Sequence, residues 1–147
     1  MAGLLCVATT PSEVTIGANI PRTLLMLTAP ANHRLVIKRI RATFDGTSPT
    51  AEPGIVRVCR FTSAGTFTAG TVVLKGAGSE SPLATFGHSA SAEPTQGDVL
   101  EILEADRGYE VFYPLGMEIV VPGGTRIGIK AAFGYAVNGL AMMEYEE

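Results

Sequence analysis

Apolar and polar residues alternate with a period close to two along most of this chain, the pattern of strands that bury one face. In residues 34–44, Val36, Ile40, Ala42 and Phe44 fall on one face and Arg39, Arg41 and Thr43 on the other. Residues 55–61 put Ile55, Cys59 and Phe61 on a shared face, with Arg57 the polar exception. Tyr109, Val111 and Tyr113 alternate with Glu110 and Phe112. Ile127, Ile129, Ala131 and Phe133 stand opposite Arg126, Gly128 and Lys130, and Ala141, Met143 and Tyr145 stand opposite Leu140 and Met142. Residues 98–105 could start a helix, with Asp98 as its cap, but the run is short and Gly108 follows closely. Among so many strands it reads as another strand.

Turn chemistry separates these runs. Pro122 and Gly123 suit the two central positions of a type II turn, Asp106-Arg107-Gly108 suits a hairpin tip, and Phe44-Asp45-Gly46-Thr47 marks a further turn. Residues 46–54, 76–82 and 87–98 are rich in Ser, Thr, Ala, Gly and Pro and read as loops. Pro11, Pro21 and Pro30 divide the start of the chain into short pieces at 3–8, 12–17 and 23–28. Short strands at about ten-residue spacing indicate a sandwich or barrel. The expected fold is all-β, a jelly-roll-like antiparallel β-sandwich of about eight to ten strands. An immunoglobulin-like sandwich fits less well, because the chain has no Trp and no Cys-Trp-Cys pattern. Residues 1–147 are expected to form one domain, and the segment before Pro30 is the best candidate for an extended N-terminal arm, since its prolines preclude a long central strand.

Composition narrows the function classes. A chain of 147 residues can bury a core without a metal or disulfide. Hydrophobic residues make up 46% and charged residues 17%, against about 25% charged in an ordinary soluble protein. That deficit points to surface covered by a partner, and self-association is expected. The net charge of −3 gives no reason to expect nucleic-acid binding, and no apolar run approaches a membrane span. Cys6 and Cys59 are too few for a disulfide scaffold; two buried thiols are expected, although a bridge between them is open. The N-terminal residues do not resemble a signal peptide, so assembly in a cytoplasm is expected.

Charge is unevenly divided. Residues 34–60 hold six basic residues and two acidic ones, whereas residues 93–147 hold ten acidic and three basic. Either the two halves complement each other across strands, or a basic face built from Arg34, Arg39, Arg41, Arg57 and Arg60 meets an acidic partner or a second copy. At least one of Arg39 and Arg41 is expected to pair with a carboxylate. His33 and His88 stand alone, with no metal-ligand spacing. Glu101, Glu104, Asp106 and Glu110 are the densest carboxylates, but nothing distinguishes them from solvated strand faces. No nucleophile elbow or phosphate loop is present. Neither catalytic activity nor a cofactor or metal is expected.

Three stretches resemble a known family: residues 37–58, running from Ile-Lys-Arg-Ile-Arg to Pro-Gly-Ile-Val-Arg-Val; residues 99–104, Val-Leu-Glu-Ile-Leu-Glu; and residues 113–130, Tyr-Pro-Leu-Gly-Met-Glu-Ile-Val-Val-Pro-Gly-Gly-Thr-Arg-Ile-Gly-Ile-Lys, with the closing Met-Met-Glu-Tyr-Glu-Glu. They are similar to the small all-β virion proteins of tailed bacteriophages, the capsid decoration or cement type. The resemblance implies a jelly-roll-like sandwich that self-associates on the capsid exterior and clamps the major capsid protein, without catalysis; a trimer is the expected oligomer, and neither nucleic acid nor membrane is expected as a partner. Alternatives are a phage tail or fibre-base component and a carbohydrate-binding β-sandwich module. The last would need exposed aromatic rings, for which Tyr109, Tyr113 and Tyr135 are the candidates.

Overall fold

The computed structural model describes residues 3–46 and 53–147. These contain thirteen strands and no helix: β1 (Leu5–Thr9), β2 (Val14–Ile16), β3 (Arg22–Thr28), β4 (Leu35–Gly46), β5 (Gly54–Phe61), β6 (Thr66–Ala69), β7 (Val73–Leu74), β8 (Thr85–Ala92), β9 (Gln96–Ala105), β10 (Gly108–Phe112), β11 (Ile119–Val121), β12 (Arg126–Ala132) and β13 (Val137–Glu146). They form two antiparallel sheets. One has the order β10-β4-β13-β1-β7, with β11 also on β4 and β2 also on β13; the other runs β6-β8-β3-β12-β5-β9.

Eight positions of this arrangement are a jelly roll. β1 with β2, β13, β4 and β10 make one four-stranded layer, and β3, β12, β5 and β9 make the other. Three extra strands arise from an excursion between β5 and β9, which adds β6 and β8 beyond β3 and lays β7 against β1; β11 comes between β10 and β12, and β1 and β2 share one position. The expected eight to ten strands fell short of thirteen because β6, β7 and β11 are only two to four residues long and most of β8 was read as loop.

The stretch read as a candidate arm belongs to the sandwich. Cys6, Ala8, Val14, Ile16, Leu24, Leu25 and Leu27 are all within the core between the sheets. β1 and β2 pair in succession with the two ends of β13, so Pro11 sits at a break between short strands rather than inside a long one.

β4 carries a bulge. Glu144 lies opposite Arg39 and Tyr145 opposite Ile37, which leaves Lys38 as the additional residue. The bulge reverses the inside–outside phase. Leu35 and Ile37 face the core before it and Ile40, Ala42 and Phe44 after it, while Val36, assigned inward by simple alternation, faces out. In β5 the core residues are Val56 and Val58; Cys59 and Phe61 lie on the opposite face, in a separate cluster with Met26 and Phe67. The alternation of β10, β12 and β13 matches the observed burial.

Three connections differ from expectation. Asp106 and Arg107 do not close a hairpin, because β9 pairs with β5 and β10 with β4; they carry the chain from one sheet to the other. Residues 87–98 hold most of β8 and the start of β9, whose small residues gave no alternation to read. In the turn after β11, Thr125 N–H donates to the Pro122 carbonyl at 3.1 Å and the positive φ, 75°, falls on Gly124. Pro122 is therefore the first residue of the turn, not the second. Gly123 has a different role: a Cβ there would lie 2.4 Å from the Ala31 carbonyl oxygen. Residues 76–82 lack strand structure, as expected. Most of the loop read at 46–54 and the end of the turn at 44–47 lie outside the described residues. Cys6 and Cys59 are both buried free thiols, one between the sheets and one outside them.

Candidate functional site

The outer face of the seven-stranded sheet gathers most of the chain's paired charge. Arg39 reaches Glu110 on β10 at 2.8 Å and Glu144 on β13 at 3.4 Å. Lys75, just past β7, reaches the same Glu144 oxygen at 2.8 Å, and Arg41 lies 3.5 Å from Glu110. Cation and carboxylate thus alternate across the sheet. Lys38, pushed outward by the bulge, lies 3.1 Å from both Glu118 and Glu146. Those two bonds hold its ammonium above the ordinary lysine range, Glu118 contributing more. Glu118 is held below the usual carboxylate range by its own backbone amide first and by Lys38 second. Six of the seven ion pairs among the described residues lie on this face. The basic first half and the acidic second half therefore complement each other here, and both Arg39 and Arg41 have carboxylate partners.

Apolar side chains lie between these charges. Leu5, Val73, Phe112, Val120 and Leu140 are exposed, and the Arg39 guanidinium carbon stacks 4.6 Å above the Phe112 ring centre. A shallow hollow of about 270 Å³ opens among Thr9, Arg41, Thr43, Leu140, Ala141 and Met142.

Beyond β10 the chain turns outward. Met117 N–H donates to the Pro114 carbonyl at 2.9 Å and Gly116 has φ of 89°, which makes Pro114–Met117 a type II turn with Leu115 at its tip. Gly116 N–H also donates to Glu118 at 2.6 Å, and Glu118 is tied to Lys38 on β4. The turn is thereby fixed to the sheet. It nevertheless presents the most exposed large apolar residues of the described chain: Leu115 at 92%, Met117 at 72% and, at its base, Phe112 at 63%. Their hydrophobicity was visible in the sequence. Their exposure was not, since nothing in the spacing separates an apolar turn from a strand.

The six-stranded sheet has a different outer face. Met26, Gly128, Cys59 and Val99 form a cross-strand row over β3, β12, β5 and β9. Phe61 covers Gly128, where a Cβ would meet its ring at 2.6 Å, and Phe67 covers Gly87. Burial pushes the Cys59 thiol up to about 11, against an opposing pull from Lys130 and Arg57. Arg57 lies in register with Lys130 and Ile102 on this face, and Arg60 donates to the Val120 carbonyl at 3.1 Å. Arg34 is exposed in the approach to β4. The five arginines singled out in the sequence thus do not form one patch: Arg39 and Arg41 share a face, and Arg34, Arg57 and Arg60 are placed apart.

The carboxylates considered for chemistry are also dispersed. Glu101 turns inward from β9 and accepts from the hydroxyls of Tyr109 and Tyr113, the latter at 2.7 Å. Burial, followed by the Glu101 bonds, holds both phenols above the ordinary tyrosine range. Glu110 is committed to Arg39 and Arg41. His88 is buried in β8 with Nδ1 3.0 Å from the Ser89 hydroxyl, and His33 is exposed. Among the described residues no three His, Cys, Asp or Glu side chains converge as a metal cage would require. Comparison with known protein families and with curated proteins finds no match.

Proposed function

We propose that this protein is a structural subunit of a tailed-bacteriophage particle, of the capsid decoration type, which binds the outside of the major capsid shell, associates with copies of itself as a trimer, and works by contact area. The observation that carries the reading is the fixed turn at Pro114–Met117, which holds Leu115 and Met117 in solvent on a scaffold of two rigid sheets. Exposed aliphatic side chains on a pinned turn are costly in water and favourable in an interface, where a few buried anchors supply most of the affinity. The jelly roll and the three stretches similar to decoration proteins agree with this reading.

The carbohydrate-binding alternative is less well supported. Tyr109 and Tyr113 direct their hydroxyls to Glu101, and Tyr135 packs against Phe133 at 5.7 Å between ring centres. None of the three offers a free flat ring. A reconstruction of the particle encoded by the same genome tests the proposal. Density for this jelly roll on the outer shell is expected; its absence from the shell refutes the reading, and its presence in the tail supports the fibre-base alternative.

A further inference from the structure

We infer that the Pro114–Met117 tip of one copy seats in the hollow beside Leu140 of a second copy, so that the outer face of the seven-stranded sheet is a self-contact surface. This rests on the self-association half of the reading above and not on attachment to a particle. Two observations identify the occupant as a second copy. First, the face carries four cations, Lys38, Arg39, Arg41 and Lys75, and four carboxylates, Glu110, Glu118, Glu144 and Glu146, all bridged to one another. The chain as a whole has a charge of −3; on this face four cations meet four carboxylates in bridged pairs, and the exposed Asp45 near the end of β4 accepts from the Asn138 amide, so the middle of the face adds no net charge to repel a second copy. A strongly charged partner would have no unbridged ladder of opposite sign to meet here.

Second, the same face holds both a projection and a recess. The tip leaves the sheet at the β10 edge, beside β4, and the hollow lies across β4, β13 and β1. At about 270 Å³ the hollow has room for an aliphatic side chain, and Leu140, Met142 and Ala141 give it an apolar floor. A projection on one copy and its recess on the next make a head-to-tail contact, which closes into a ring such as the proposed trimer when the rotation per copy divides a full turn.

The test uses the full chain. Leu115→Cys protein is mixed with Leu140→Cys protein under mild oxidation; both native thiols are buried and do not compete. A disulfide joining the two variants is expected, and neither variant alone should crosslink comparably. In sedimentation velocity the unmodified chain should form a closed oligomer. Leu115→Asp, at a site 92% exposed and therefore tolerant in the monomer, should weaken association about thirtyfold or more, as loss of a central anchor does. A chain that stays monomeric at millimolar concentration overturns the inference. So does an oligomer that ignores Leu115→Asp and gives no tip-to-hollow crosslink. A chain that crosslinks but is missing from the particle overturns the particle reading alone; a chain found on the particle whose tip and hollow do not crosslink overturns this inference alone.

Discussion

Deleting residues 1–20 should unfold the protein rather than release an arm. The deletion removes β1 and β2, and with them Cys6, Ala8, Val14 and Ile16, each no more than 2% exposed. Fully burying a Val or Ile is worth roughly 1.5–3 kcal/mol, and the smaller side chains about 1 kcal/mol each, which totals about 5–8 kcal/mol. The loss does not end there. β13 pairs with β1 over Leu5–Thr9 and with β2 over Val14–Ile16, so its edge becomes unpaired along most of its length. Met143 and Tyr145, both fully buried, lose their cover. A domain of this size has about 5–15 kcal/mol of net stability, so the truncated chain should lack a cooperative transition. The assay is urea unfolding followed by far-UV circular dichroism, with Ile16→Ala as the milder companion, expected to cost about 2–5 kcal/mol. A truncated chain that unfolds cooperatively within about 1 kcal/mol of the intact one would refute the reasoning.

Three further outcomes follow from particular residues. Gly128→Ala should destabilise by about 1–3 kcal/mol, because the new Cβ would lie 2.4 Å from the Leu25 carbonyl oxygen and 2.6 Å from the Phe61 ring; an unchanged urea midpoint would contradict the close approach. Glu144→Gln, which strips a side chain only 10% exposed of its bonds to Arg39 and Lys75, should cost about 2 kcal/mol, whereas Glu110→Gln on the more exposed end of the ladder should cost under about 1 kcal/mol; equal effects in denaturation would argue against the graded burial. Stability should fall above pH 9. Cys59 keeps its proton to about 11 when folded but loses it near 9.0 when unfolded, and burial likewise holds the Tyr145 phenol protonated past its ordinary value of 10.0. Below pH 9 both groups are protonated in both states and contribute no slope. Above it the unfolded chain binds fewer protons, so each group should lower stability by about 1.4 kcal/mol per pH unit in its own window. Urea titrations from pH 7 to 11 that show a flat profile would refute this.

The sequence was most readable where a strand keeps strict alternation over its whole length, as β12 and β13 do. It misled where local chemistry broke the phase. The bulge at Lys38 moved Val36 outward, and the apolar residues on both faces of β5 concealed that Cys59 and Phe61 belong to the outside. β8 escaped notice because Gly87 and Ala90 are buried through smallness, not through an apolar pattern. The shared face of Arg39 and Arg41 could be read from spacing of two. Their partners could not, because Glu110 and Glu144 lie 71 and 105 residues away from Arg39 and are brought near only by the sheet order. The exposed tip was beyond reach for a related reason: Tyr-Pro-Leu-Gly-Met carries the composition of a buried segment, and only the pairing of β10 and β11 with the same strand turns it outward.

The placement of β13 bears on how the protein is made. β13 follows the other twelve strands along the chain and lies in the middle of its sheet, between β4 and β1, closing the ladder of both. Until β13 has been made, no strand pairing among the described residues joins β4, with β10 and β11, to β1, with β7. The seven-stranded sheet can form only once residues 137–146 are free of the exit tunnel. Nearly every pairing it then makes joins distant parts of the chain, so refolding should be slow for the length, in the range of milliseconds to seconds. Until that step the nascent chain presents unpaired strand edges to its surroundings.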